Sequence, residues 1–177
     1  NLGKMENSAT KHILYLDKDS QFQGNTSCST KDDGVMYTPQ QLGMNSSLRS
    51  AVAAAGDCTN IYVEADQAIY IGNGSDLAAT VAYVTGLFNQ SAVIFANELI
   101  TINLSETFIW TTPDPYTGPG TAEYLTQFQN NTGAFNGDLG HLLVLDNVGG
   151  RAAGFSGICN SDTDESLCFS GLSGLAF

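Results

Sequence analysis

The chain has 177 residues, 42% of them hydrophobic, and carries 6 Lys+Arg against 18 Asp+Glu for a formal net charge of −12. That length suits one domain with an accessory segment. So acidic a surface repels phosphate backbones and anionic headgroups alike, which excludes nucleic acid and anionic membrane surfaces as partners. Charged residues make up only 14% of the chain, so solubility rests on Asn, Ser, Thr and Gln. Low Lys with abundant Asn, Thr and Gly is common among extracellular proteins, and a secreted location is the expectation. No apolar stretch reaches the ~18 residues of a membrane span. The longest, Val81 to Phe95, is interrupted by Thr85, Gly86, Asn89, Gln90 and Ser91, so no membrane insertion is expected. The chain opens on Asn1 without a charged n-region and apolar run, and reads as a piece of a longer precursor.

Residues 1–57 form a first unit, with a short strand at His12–Leu16 and a weak helix starting at Thr38-Pro39. The small-residue run Ser50–Gly56 reads as a linker open to processing. Residues 58–177 form the compact unit. Thr59 to Ile71 is β-rich and partly alternating, which predicts a strand. Asn73-Gly74-Ser75-Asp76 supplies a turn and an N-cap. Leu77, Val81, Val84, Phe88, Phe95 and Leu99 then recur near a 3.6-residue period, as in a long amphipathic helix.

Ile100 to Thr111 alternates as a second strand, ended by Pro113-Asp114-Pro115. Gly118-Pro119-Gly120-Thr121 opens a second helix that closes at Asn131-Thr132-Gly133. His141–Leu145 is almost wholly apolar, as suits a strand buried on both faces. Asp146–Gly150 turns the chain into a last strand from Arg151 to Ile158. Its small residues place it at a sheet edge or against another backbone. The order predicts an α/β fold: a twisted, mixed, mostly parallel sheet with two main helices, preceded by a separate leading segment.

Four cysteines, Cys28, Cys58, Cys159 and Cys168, show no C-x-x-C pair, which argues against a cysteine-only zinc site. Cys159 and Cys168 flank a polar loop and are a candidate local disulfide. Sequons begin at Asn25, Asn45, Asn73, Asn89, Asn103 and Asn130. The two histidines, His12 and His141, lack a second His at helical spacing, and His141 reads as a core or edge residue. Asp162, Asp164 and Glu165 lack the frame of an EF-hand loop. Ser156 lacks the frame of a nucleophile elbow, and Gly72-Asn73-Gly74 lacks the lysine of a phosphate loop. Glu64 and Asp66, two apart, are a candidate acid/base pair, with loop fixing by hydrogen bonds the stronger reading.

Gly137–Leu145 followed by Gly149–Cys159, with Ile61–Asp66, Ala79–Gln90 and Ile102–Pro115 in the same order, resembles the reprolysin-like (adamalysin-type) metzincin zinc metallopeptidases. The resemblance covers roughly Cys58 to Phe177. It implies the upper subdomain of a catalytic domain, whose Gly/Ala-rich edge strand pairs with an extended protein or peptide substrate by β-augmentation. Gly150, Arg151, Ala152, Ala153 and Gly154 are the substrate-contacting residues it implies here. The leading segment becomes a propeptide tail, in which Cys28 resembles a cysteine switch holding the enzyme latent. A disulfide from Cys28 to Cys58 is the alternative.

The family's Zn²⁺ is held by His-Glu-x-x-His-x-x-Gly-x-x-His, which this sequence does not contain. The expectation is a truncated chain: the zinc ligands and the C-terminal half of the catalytic domain lie beyond Phe177, and the segment alone is inactive. Partial exposure of Val144, Leu145 and Ile158 is expected on the uncovered sheet face. The second function class is a secreted, non-enzymatic peptide-binding or adhesion module using the same edge strand.

Overall fold

The computed structural model describes residues 2–4, 12–14, 29–30, 59–154 and 162–175. The helix at Thr38-Pro39, the Ser50–Gly56 linker, Cys28, Cys58, Ser156, Ile158 and Cys159 lie outside the described residues. In the leading segment, β1 (Leu2–Lys4) and β2 (His12–Leu14) pair antiparallel, with Leu2 opposite Leu14.

The main body is a five-stranded sheet in the order β4-β3-β5-β7-β6. Its strands are β3 (Thr59–Ala65), β4 (Ile102–Ile109), β5 (Leu139–Val144), β6 (Gly150–Ala152) and β7 (Leu167–Gly171). The β3–β4, β3–β5 and β5–β7 pairs are parallel, and only β6 runs antiparallel, against β7. This is the mixed, mostly parallel α/β sheet that the order of sequence elements predicts.

The expected strand Thr59–Ile71 divides at Asp66. Asp66 takes an extended conformation, its side chain accepts from Ile69 N, and a short helix α1 (Gln67–Gly72) follows. The N-cap outweighs the β preference of Ile69, Tyr70 and Ile71, because Ile69 gains a fully buried position in the helix. Asp76 caps α2 (Leu77–Asn97) through Ala79 N, as the turn sequence predicts. The third helix, α3 (Thr121–Asn131), starts at Gly120 and ends where Thr132 returns to extended backbone.

Alternation along the strands sends two sets of side chains to opposite faces. Tyr62, Leu142, Val144, Leu167 and Phe169 pack with Tyr124, Leu125 and Phe128 of α3. Val63, Ala65, Ile109 and Leu143 pack with Ile69 of α1 and Tyr83 and Val84 of α2. Helices on both faces make the sheet the middle layer.

Two expectations are corrected here. Val144 is fully buried, because its parity turns it into the α3 layer, whereas Leu145 is half-buried, in keeping with the partial exposure expected of it. The most exposed large apolar residues among those described lie instead at and just beyond the far end of α2, with Val93 63%, Ile94 66% and Leu99 75% exposed. In addition, α2 is long and apolar enough to cross a membrane by length and composition alone. The interruptions at Thr85, Gly86 and Asn89 do not shorten the helix, since they sit within its 21 residues. Here it lies on the sheet, with Tyr83, Val84, Leu87 and Phe88 in the core layer.

Candidate functional site

β6 is at the sheet edge, where composition places the last strand, but it covers only Gly150–Ala152: Ala153 and Gly154 leave the strand expected to run to Ile158, and residues 155–158 lie outside the described residues. Its start is set by close backbone packing: Gly149 has φ +86° and Gly171 N donates to Gly149 O at 2.7 Å. A Cβ on Gly171 would lie 2.3 Å from Asp146 O, so only glycine allows the turn to seat against β7. Tyr124 Oη braces the same turn, donating to Asp146 Oδ2 at 2.9 Å. Burial first, then Asp146, push that phenol up to about 12.

One side of β6 faces β7, with Gly150 opposite Ser170, Arg151 opposite Phe169 and Ala152 opposite Cys168. Ala153 N continues this ladder by donating to Leu167 O at 3.0 Å. The other side holds the leading segment. Ser29 N donates to Gly150 O at 3.0 Å, and Ser29 Oγ reaches the same carbonyl at 3.2 Å. Ala152 N donates to Thr30 Oγ1 at 2.8 Å, while Ser29 Oγ donates to Thr121 Oγ1 at 2.5 Å at the start of α3. Thus Gly150 and Ala152 turn backbone groups away from β7 and use them on residues 29–30. Ala153 packs against the α3-side core, and Gly154 sits near the Glu165 carboxylate.

The other singled-out residues are dispersed. Asp66 and Glu64 do not act as a pair. Asp66 accepts from Ile69 N and from Leu145 N, 2.8 and 2.9 Å, and so ties β3, α1 and the end of β5 together. Burial is the main cause that raises its pKa, the two amides oppose it, and Asp114 and Asp146 add to it. Asp114, between the two prolines, accepts from Gln67 N and Tyr116 N and fixes the exit of β4 to α1.

Glu64 is buried on the α3 face. It receives Tyr62 Oη at 2.8 Å, Trp110 Nε1 at 2.5 Å, and the Tyr116 hydroxyl. Burial and then Glu64 push both phenols well above the ordinary tyrosine range. Sequence spacing misses this cluster, because Tyr116 and Trp110 come to Glu64 from a neighbouring strand and the loop beyond it.

His141 and Cys168 are register partners on β5 and β7, and His141 Nε2 lies 2.9 Å from Ser170 Oγ. Burial lowers the His141 pKa, but the Cys168 sulfur overrides it and leaves it above the ordinary value. Burial raises the Cys168 pKa, and His141 overrides that in turn and leaves it below. Cys168 carries a free thiol, whose Sγ approaches Gly140 O at 3.6 Å. Its candidate disulfide partner, Cys159, lies outside the described residues. Asp162, Asp164 and Glu165 build a single 3₁₀ turn, with Asp162 Oδ1 accepting from Asp164 N.

A mostly parallel sheet between helices, with one glycine-rich antiparallel edge, defines an α/β domain of the metzincin-like kind. Residues 55–174 match the reprolysin-type model of metallopeptidase family M12, and the chain belongs to that family. No curated protein matches the sequence. The family gives the chain a metallopeptidase-type function, acting on protein substrates and generally dependent on zinc. Among the described residues no group of three His, Cys, Asp or Glu side chains is placed to hold a metal ion. The described donor set does not fit a zinc site, since His141 is engaged by Ser170 and Cys168 on the sheet.

Proposed function

We propose that this chain is the substrate-pairing part of a secreted zinc metalloendopeptidase, whose zinc ligands are supplied by sequence outside these 177 residues. This reading is supported by the sequence's lack of the three-His motif. The observation that carries the reading is the use of β6 by the chain itself: Gly150 O accepts from Ser29 N, and Ala152 N donates to the Thr30 hydroxyl. An extended substrate would take the same two positions as an added strand. Small side chains at Gly150, Ala152 and Ala153 let its backbone approach.

In the same reading, residues 29–30 keep substrate off the strand before processing, and Cys28 is the adjoining latency residue, meeting the metal when the whole protein is assembled. Extracellular use is supported by the acidic, Lys-poor composition and by exposed sequon asparagines at Asn89, Asn103 and Asn130. Asn73 is a poorer acceptor, since its side chain already donates to Ile69 O at the end of α1. Family membership favours the enzyme over a non-enzymatic binding module.

Ala152→Pro separates the outward bond from the fold. It deletes only an N–H that points away from β7, and an edge strand tolerates proline there. In the processed, zinc-loaded parent protein, the variant is expected to lose roughly tenfold or more in kcat/KM for peptide hydrolysis. Thermal stability should change little. Undiminished hydrolysis by Ala152→Pro would remove β6 from substrate binding.

A further inference from the structure

At the sheet edge opposite β6, a cleft of about 530 Å³ lies between β3, β4 and residues 131–136. Its walls include Tyr62, Glu64, Glu106, Phe108, Trp110 and Phe135. The rings are fixed by one another. Tyr62 stacks on Phe135 with centroids 5.4 Å apart, and Phe108 meets Trp110 edge-on at 5.4 Å. Glu64 is under the floor and Glu106 is at the exposed rim. Among the described residues, no basic side chain lines the cleft. Arg151, the only Lys or Arg whose side chain is among the described residues, is on β6 at the other edge. Thr132 Oγ1, also in the lining, is shielded from solvent beside the Tyr116 hydroxyl.

We propose that this cleft binds an organic cation, an alkylammonium or guanidinium group such as ends a Lys or Arg side chain. Two carboxylates exclude an anion, and their charge has no cationic partner in the lining. A bare metal ion is a poorer match. Glu64 already accepts three hydrogen bonds, and the walls are ring faces, not oxygens. Aromatic faces beside carboxylates suit a soft cation with an apolar stem, which packs on the rings while its head takes the negative potential.

Trp110 is the chain's single tryptophan, so its fluorescence reports the cleft directly. The intact chain is titrated with N-acetyl-lysine amide, its ε-acetylated neutral counterpart, a short lysine-containing peptide and spermidine. The expected result is a saturable change with the lysine amide, at a dissociation constant on the order of 1 mM, and none with the acetylated compound. Glu106→Gln, at an exposed position that leaves the core intact, should weaken binding roughly threefold to fivefold. Phe108→Ala, on the exposed wall, should weaken it by about threefold. Tighter binding of the peptide than of spermidine assigns the cleft to a basic side chain of a protein partner; the reverse order assigns it to a free polyamine. Either order supports the cation site. Equal responses to the charged and acetylated compounds, or no saturable response in any arm, would overturn it, as would unchanged affinity in Glu106→Gln.

Discussion

Phe128→Ala is expected to lower the folding free energy by about 3–5 kcal/mol. Phe128 is fully buried at the centre of α3, facing the layer built by Tyr62, Leu142, Val144 and Phe169. Its ring also meets Tyr116 edge-on, with centroids 6.3 Å apart. Truncation removes the ring's transfer free energy and leaves a cavity. Sheet strands on one side and an aromatic shell on the other cannot easily collapse into it. For a small domain with a stability of about 5–15 kcal/mol, that loss is a large part of the total. The matched control is Phe95→Ala on α2, where the ring is 43% exposed, and the expected loss is below about 1 kcal/mol. Urea unfolding of the two variants measures the difference. Equal losses would mean that the α3 layer is not the core.

Glu64→Ala is the second large effect, expected at about 3 kcal/mol. The carboxylate collects two phenol hydroxyls and an indole N–H in one buried place. Removing it strands three donors that cannot all turn to solvent, and each unsatisfied donor costs about 1–3 kcal/mol, less where water enters from the cleft. Glu64→Gln keeps one acceptor oxygen and should lose about half as much. A second readout separates this cluster from a general loss of packing. Burial is the first cause of the raised Tyr62 and Tyr116 pKa values and Glu64 is the next. Both phenols should therefore titrate at lower pH in Glu64→Ala while staying above the ordinary tyrosine value. Ultraviolet titration of the folded variant follows this. Tyrosine titration identical to that of the parent chain would contradict the assigned network.

Much of the scaffold is legible in sequence because it depends on local chemistry. Asp76 ahead of an apolar 3.6-residue period marks the start of α2, and Gly120-Thr121 marks the start of α3. The apolar run at His141–Leu145 gives the central strand, and the glycines of 149–154 give an edge strand. Local rules fail where two of them compete. Ile69 and Ile71 favour a strand, but Asp66 caps a helix and its second oxygen holds Leu145 N, a partner 79 residues away. β7 is not anticipated: the alternation of Leu167 and Phe169 is short, and the strand is completed by long-range pairing with β5 and β6. The facing of Val144 depends on the sheet's two-sided burial, and a wholly apolar run does not indicate which side is covered.

The candidate sites divide in the same way. The edge position of β6 is readable from its small residues, since close approach is a property of the backbone. Its use by Ser29 and Thr30 is not, because those contacts span more than a hundred residues. The cleft beside Glu64 is likewise invisible to spacing. Its acidic and aromatic residues alternate along β3 and β4 like any half-buried strand, and only the β3–β4 register, Tyr62 opposite Glu106 and Glu64 opposite Phe108, places them in one wall.

The most direct measurement of the β6 assignment is amide hydrogen exchange at Ala152 and Ala153 in the intact chain, before and after Thr30→Ala. Ala152 N donates to Thr30 Oγ1, whereas Ala153 N donates into the sheet at Leu167 O. Both amides should be protected in the parent chain. Thr30→Ala should speed exchange at Ala152 by about tenfold or more and leave Ala153 unchanged. An Ala152 amide that already exchanges at the rate of a free peptide in the parent chain would contradict a strand edge held by the chain's own leading segment.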